Sequence, residues 1–205
     1  MDINFEQQLR DEAAAFYSGV PGKKSGQVTW QSPSNIAIVK YWGKRAVQRP
    51  TNASLSMTLQ HARTTMNVEY QVDPKLKKNR LEYNFEGKPM KSFLVRLEKY
   101  LEEVSRLLPF LTRCRLKISS SNTFPHSSGI ASSASAFSAL ALALCDIEQD
   151  LYEQTPTDFF RKASLLARLG SGSASRSVYG GMTLWGKTAE WSDSSDEYAI
   201  PVKEV

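Results

Sequence analysis

Residues 119–136 read SSSNTFPHSSGIASSASA. A β-patterned run in which Cys114, Leu116 and Ile118 alternate enters a loop of small polar residues. It leaves that loop in the Ala/Leu-rich segment Ala131 to Cys145. This order predicts strand, loop and buried helix. The head of a helix carries unpaired amides and a partial positive charge, which suit an anion. Gly129 permits the backbone conformations that bring amides close to a phosphate. Ser132 and Ser133 fall in the first turn, within reach of phosphate oxygens or Mg²⁺. From these residues alone, an ordinary Ser-capped buried helix is the preferred reading.

Two further segments bear on the choice. Ser32 to Arg45 places Lys40, Lys44 and Arg45 beside Tyr41 and Trp42; the alternative is a basic strand end. Gly170 to Ser177 is a small-residue loop with one guanidinium, Arg176, whose fork matches carboxylate or phosphate; the alternative is a flexible linker. Three anion-friendly segments together favour a phosphorylated substrate and a nucleotide. A fourth motif is a decoy. Gly181 to Thr188 fits G-x-x-x-x-G-K-[ST] letter for letter, but Met182, Thr183, Leu184 and Trp185 prefer a strand interior to a phosphate cradle.

The remaining pattern predicts helices over 2–17 (Asp2 as N-cap), 93–108 (stopped by Pro109) and 156–169 (Thr155 as N-cap), beside the one over 131–145. Strands are predicted over 27–32, 36–41, 54–59, 63–72, 81–85, 114–120 and 179–186, with another starting at Pro201. Strands and helices mix without strict alternation, so the fold class is α+β.

The net charge is +5, and residues 75–117 hold twelve Lys/Arg against five Glu. That excess suggests an anionic partner, nucleic acid or a phosphorylated small molecule, unless it only maintains solubility. Aromatic residues do not recur among these cations as on a single-strand stacking platform, so nucleic acid is disfavoured. No apolar run reaches the roughly 18 residues of a membrane span. Asp2, Glu6, Asp11 and Glu12 stand where a secretory leader needs cations. The two cysteines have no metal-ligand spacing and read as buried thiols in a reducing cytoplasm.

PSNIAIVKYWGKR at 33–45, PTNASLSMTL at 50–59, FPHSSGIASSASAFSALALAL at 124–144 and GSGSASRSVYGGMTLW at 170–185 resemble, in the family's own order, the diphosphomevalonate decarboxylases. These belong to the GHMP kinase superfamily. The resemblance covers residues 27–186 and implies a two-layer α+β sandwich, the ribosomal-protein-S5-like N-terminal lobe. It implies an ATP- and Mg²⁺-dependent carboxy-lyase that makes isopentenyl diphosphate from 5-diphosphomevalonate in the cytoplasm, a step of isoprenoid biosynthesis. By position it implies that Ser128, Gly129, Ala131, Ser132 and Ser133 hold the nucleotide, Ser133 also touching the metal. Tyr41, Lys44, Ser171 and Ser173 would hold the substrate diphosphate. Arg176 would clamp the substrate and fix its carboxylate, and Lys40 would support phosphoryl transfer. Asn35, Trp42 and Thr51 would shape the pocket.

The family's aspartate beside the reacting hydroxyl sits in a D-x-G-P-N-type segment of its C-terminal half, and no such segment occurs here; Asp193 and Asp196 lack that context. The resemblance therefore implies an N-terminal extension (1–26), an ATP-binding domain (27–205), and a C-terminal domain absent or truncated. Such a chain is expected to be inactive by itself and to dimerise or dissolve poorly through uncovered apolar surface. The alternatives are a related small-molecule kinase (a mevalonate 3-kinase or phosphomevalonate decarboxylase type) and a non-catalytic S5-like RNA-binding module.

Overall fold

The alternating segments build one sheet around a single long strand. The structure, a computed structural model, describes residues 4–16, 25–125, 131–153 and 158–202. Its elements are α1 (Phe5–Phe16), β1 (Ser25–Val39), β2 (Ser54–Val72), β3 (Arg80–Phe85), β4 (Lys88–Pro89), α2 (Lys91–Val104), β5 (Cys114–Asn122), α3 (Ser132–Tyr152), α4 (Phe159–Gly170), β6 (Met182–Trp185) and β7 (Ala199–Pro201). Strand β2 pairs antiparallel with β1 along one side. On its other side β5 takes Thr64 to Val72 and β6 takes Ser54 to Met57. β3 runs parallel to β5, β4 lies beyond β3, and β7 pairs with β6. The α+β class is as expected.

Four of the expected strands are two. Residues 27–32 and 36–39 belong to β1, which ends two residues short of the predicted 41, and 54–59 and 63–72 belong to β2. The gap in each pattern marks one break in the β1–β2 ladder. Pro33 pairs with Arg63 while Ser34 pairs with Leu59, so three residues of β2 bulge out. Pro33 has no N–H to give the ladder. Beyond a bulge the side chains are re-aimed, and the neighbours Ser34 and Asn35 are both buried where strict alternation would expose one.

The inward residues Met66, Val68 and Tyr70 of β2 and Leu116 and Ile118 of β5 meet Leu97, Leu101, Phe137 and Leu140 of the helices in one core. Each fully buried Leu or Phe contributes about 1.5–3 kcal/mol relative to exposure. Leu9 of α1 is part of the same core, 2% exposed. Helix α3 is buried nearly all round, so its small Ala and Ser residues let strands and α4 approach closely. It runs seven residues past the predicted end. The polar residues that suggested a stop there have partners: Trp30 Nε1 donates to Asp146 at 2.8 Å, Lys162 Nζ donates to Glu148 at 2.6 Å, and the Tyr70 hydroxyl donates to Asp150.

Helix α2 ends at Val104, four residues early. Pro109 disfavours helical backbone at Leu108, and the Ser105 hydroxyl turns back onto the Glu102 carbonyl at 2.7 Å. The predicted caps Asp2 and Thr155 lie outside the described residues. Instead Asn4 Oδ1 accepts the Glu6 amide (3.1 Å), and Asp158 Oδ1 accepts the Arg161 amide (3.2 Å). Among the described residues, no helix is long and apolar enough to cross a membrane.

Candidate substrate and nucleotide site

The bulge decides where the site forms. Ser34 Oγ donates to the Ala131 carbonyl at the head of α3 (3.2 Å). Its neighbour Asn35 spends both amide hydrogens on the other small-residue loop, donating to the Ser173 carbonyl (3.0 Å) and the Ser177 hydroxyl (2.7 Å). Ser32 Oγ donates to the Ser177 carbonyl at 2.6 Å and lies 2.7 Å from the Ser138 hydroxyl of α3. Three residues of β1, Ser32, Ser34 and Asn35, therefore tie together two of the three anion-friendly segments. The third, residues 40–45, leaves the end of β1 directly. Asn52 holds it by accepting the Trp42 amide (2.9 Å) and donating to the Lys40 carbonyl (3.1 Å).

Arg176 stands at the centre of this convergence. It lies in the 3-10 turn Gly172–Ser177 and is 2% exposed. Its Nη1 donates to the Ser54 hydroxyl on β2, while Nε has no partner among the described residues. The guanidinium carbon lies 5.5 Å from the centre of the Tyr41 ring and 5.8 Å from Trp185, two rings that meet edge to face. No carboxylate pairs with Arg176 among the described residues. Burial pulls its pKa from the ordinary 12.5 down to about 10, with Tyr41 as a minor opposing influence. A buried cation without a counter-ion is costly; among the described residues, stacked rings and a single hydroxyl compensate it.

Lys44 approaches the same cluster, with Nζ 5.9 Å from the Tyr41 ring centre. A side-chain carbon at Gly172 would meet Trp185 at 2.9 Å and Lys44 Cε at 3.5 Å, so glycine lets the loop, the lysine and the ring close up. The Ser171 and Ser173 hydroxyls sit 3.3 Å apart on that loop. The structure thus gathers Tyr41, Lys44, Ser171, Ser173 and Arg176. Lys40 lies on the same segment, but its side chain is exposed and takes no part in the cluster's hydrogen bonds.

At the head of α3, Ala131 is exposed, Ser132 and Ser133 are half-buried, and no side chain caps the helix. Both serines open onto a cavity of about 90 Å³ whose other wall is Tyr83, Phe85, Met90 and Phe93. The serine hydroxyls stand at one end of this cavity and apolar rings at the other, and its volume is well below the roughly 300 Å³ at which ligand pockets begin. Ser128 and Gly129 lie outside the described residues. A larger hollow of about 810 Å³ lies on the solvated sheet face, where Glu69, Glu82, Arg80 and Lys117 mix both signs of charge.

Other expected features resolve differently. Thr51 accepts no ligand-like position; its amide donates to the Gly43 carbonyl (3.1 Å), closing the 43–51 loop. Trp42 is 85% exposed. Arg45 is committed to structure, donating to the Pro50 carbonyl and pairing with Asp196. In the decoy motif, Met182–Trp185 is a strand on β2, flanked by Gly181 and Gly186 at φ +76° and +111°, and no helix follows. Several cations of 75–117 are paired or stacked: Arg115 with Asp73, Lys117 with Glu69, and Arg96 over Phe93 and Phe137. Sequence reasoning missed Ser54 and Trp185. Their only signal is their place on strands that carry other site residues.

The fold and site together define an α+β domain whose serine-bearing helix head and buried arginine are tied to one strand. Residues 32–196 match the family model described as the diphosphomevalonate decarboxylase-like N-terminal domain, and the chain belongs to that family. It is 38% identical over 186 residues to the diphosphomevalonate decarboxylase of Eremothecium gossypii, covering 85% of this chain and 45% of that one. The human enzyme is 33% identical over 197 residues, covering 88% and 46%. The crystal structure of mevalonate diphosphate decarboxylase from Staphylococcus aureus superposes with a TM-score of 0.68 at 34% identity, covering 88% of this chain and 50% of that one. The Enterococcus faecalis enzyme, solved in a study of mevalonate-diphosphate-mediated ATP binding, gives 0.66 at 29% identity over 87% and 52%. The chain spans about half the length of the relatives it matches.

Proposed function

We propose that this chain is the N-terminal, nucleotide- and substrate-holding part of an ATP-dependent diphosphomevalonate decarboxylase. The observation that carries the reading is Arg176, a buried guanidinium whose Nε has no partner and which faces no carboxylate among the described residues, set among Tyr41, Lys44 and two serines. An acid bearing a diphosphate supplies what that cluster lacks. Lys44, Tyr41, Ser171 and Ser173 hold the diphosphate, and Arg176 takes the carboxylate in a bidentate grip. Lys40, on the same segment and free to swing, approaches the tertiary hydroxyl.

The nucleotide takes the head of α3. The amides around Ala131 to Ser133 face its phosphates, a role the family resemblance extends to Ser128 and Gly129, which lie outside the described residues. ATP supplies the phosphoryl group that makes the tertiary hydroxyl a leaving group, and Mg²⁺ offsets the phosphate charge. Among the described residues no group of three His, Cys, Asp or Glu side chains is placed to hold a metal. The Ser133 hydroxyl, with the nucleotide's own oxygens, fits an ion that arrives with its nucleotide. Loss of the phosphate leaves an electron-poor carbon. The electron pair of the C–CO₂ bond then moves in to form the alkene as CO₂ departs, and the Tyr41 and Trp185 rings keep water from that carbon. The buried free thiols Cys114 and Cys145 accord with a reducing cytoplasm.

Calorimetric titration with 5-diphosphomevalonate tests the reading. Saturable binding that Arg176→Gln abolishes supports it. Binding indifferent to that change, or none at all, overturns it. Equal affinity for the monophosphate would favour the related-kinase alternative.

A further inference from the structure

Helix α1 reaches the site through a buried chain of charges. Arg168, on the last turn of α4 and 0% exposed, donates from Nε to the Glu197 carbonyl (2.8 Å), from Nη2 to Glu6 Oε2 of α1 (3.3 Å), and from Nη1 to the Val47 carbonyl. Glu197 accepts the Glu6 amide at 3.0 Å and pairs with Arg49 at 2.6 Å, while Arg10 holds the other Glu6 oxygen at 2.8 Å. Val47 is the tip of the loop that carries Lys44. It and Gln48 both have φ of 59°, a region a β-branched residue such as valine avoids. Below the tip the loop is closed by the Arg45 amide on the Arg49 carbonyl (2.7 Å) and the Thr51 amide on the Gly43 carbonyl (3.1 Å). Three residues after Arg168 begins the loop of Ser171, Ser173 and Arg176. The Arg168 guanidinium thus touches the lysine loop directly and sits at the root of the arginine loop.

Resting on the function proposed above, we infer that Arg168, held by Glu6, is a positioning residue that sets Lys44 against Arg176, so that α1 is a working part of the anion site. Without the Glu6 carboxylate, the two guanidinium groups of Arg168 and Arg49 share Glu197 alone, and Arg168 loses its hold on the strained tip. The Lys44 loop then relaxes away from the site.

The test compares the whole chain with its Glu6→Gln variant, using inorganic pyrophosphate as the probe. Tyr70→Phe, which removes the bond to Asp150 on the far part of the sheet, serves as the stability control. Glu6→Gln should weaken pyrophosphate binding about tenfold and speed hydrogen exchange at the Arg45 and Thr51 amides. Tyr70→Phe should lower Tm and leave both unchanged. Unchanged exchange or unchanged affinity in Glu6→Gln overturns the inference while the site reading stands, and so does an equal loss of affinity in Tyr70→Phe. A wild-type chain that binds no pyrophosphate overturns the site reading and this inference with it. Should Glu6→Gln not fold, Glu6→Asp, which keeps the charge and shortens the reach, carries the same measurements with the same outcomes.

Discussion

Arg176 gives its Nη1 hydrogen to the Ser54 hydroxyl, joining a loop after α4 to the first residue of β2, 122 positions away. That hydroxyl in turn donates to the Val39 carbonyl at 2.7 Å. The arginine is therefore well fixed and poorly neutralised. Replacing a buried, uncompensated cation with an apolar side chain of similar length is neutral or stabilising, by up to about 1–4 kcal/mol. Arg176→Met should raise Tm while abolishing binding of the diphosphorylated acid, a loss of about 2–5 kcal/mol. Calorimetry reads both. A lowered Tm would show that Arg176 serves the fold.

Asn35 holds the substrate loop with both of its amide hydrogens. Truncation leaves the Ser173 carbonyl and the Ser177 hydroxyl without that donor. Asn35→Ala should cost about 1–3 kcal/mol in denaturant unfolding and should also weaken pyrophosphate binding. Loss of stability with affinity intact would mean that other contacts suffice to hold the loop.

The two thiols give a pH-dependent expectation. Burial pushes Cys114 and Cys145 from the ordinary 9.0 up to about 12. The folded chain therefore keeps two protons that the unfolded chain releases sooner. Their contribution is complete below about pH 9 and is lost as pH rises from there towards about 12. At neutral pH neither native thiol should react with an aromatic disulfide reagent, and both should react after unfolding. Rapid labelling of the native chain would contradict the burial.

Much of the fold was legible because its signals are local. The apolar stripe of α2, the alternation in β5 and the small-residue helix α3 each follow from their own residues. Segment ends were less legible wherever a distant partner decides them. Asp146, Glu148 and Asp150 look like a helix ending until Trp30, Lys162 and Tyr70 are placed against them. The site divides the same way. Tyr41, Lys44 and Arg176 stand out as residue types in motifs, whereas Ser54 and Trp185 become visible only through the pairing of β2 with β6. Arg45 looked like a ligand for the same reason Lys44 did, and only Asp196, 151 residues on, shows its different employment.

Glu148 and Lys162 form a buried pair between α3 and α4, with both carboxylate oxygens within 2.7 Å of the ammonium. Burial raises the Glu148 pKa and the lysine's charge opposes the rise. Lys162→Met alone should cost up to about 3–5 kcal/mol because it takes the lysine's charge from a buried carboxylate, and Glu148→Leu in the same chain should recover much of it. A double-mutant cycle in urea measures the coupling; additive losses would show the pair to be independent.

The ladder break at Pro33 couples what a designer would prefer to keep separate. Because the successive residues Ser34 and Asn35 beyond it anchor the head of α3 and the loop after α4, swapping either loop for one of another length also shifts its neighbour's anchor. Changes of specificity in this scaffold should therefore come as matched pairs of loops, exchanged together with the four-residue stretch of strand that joins them.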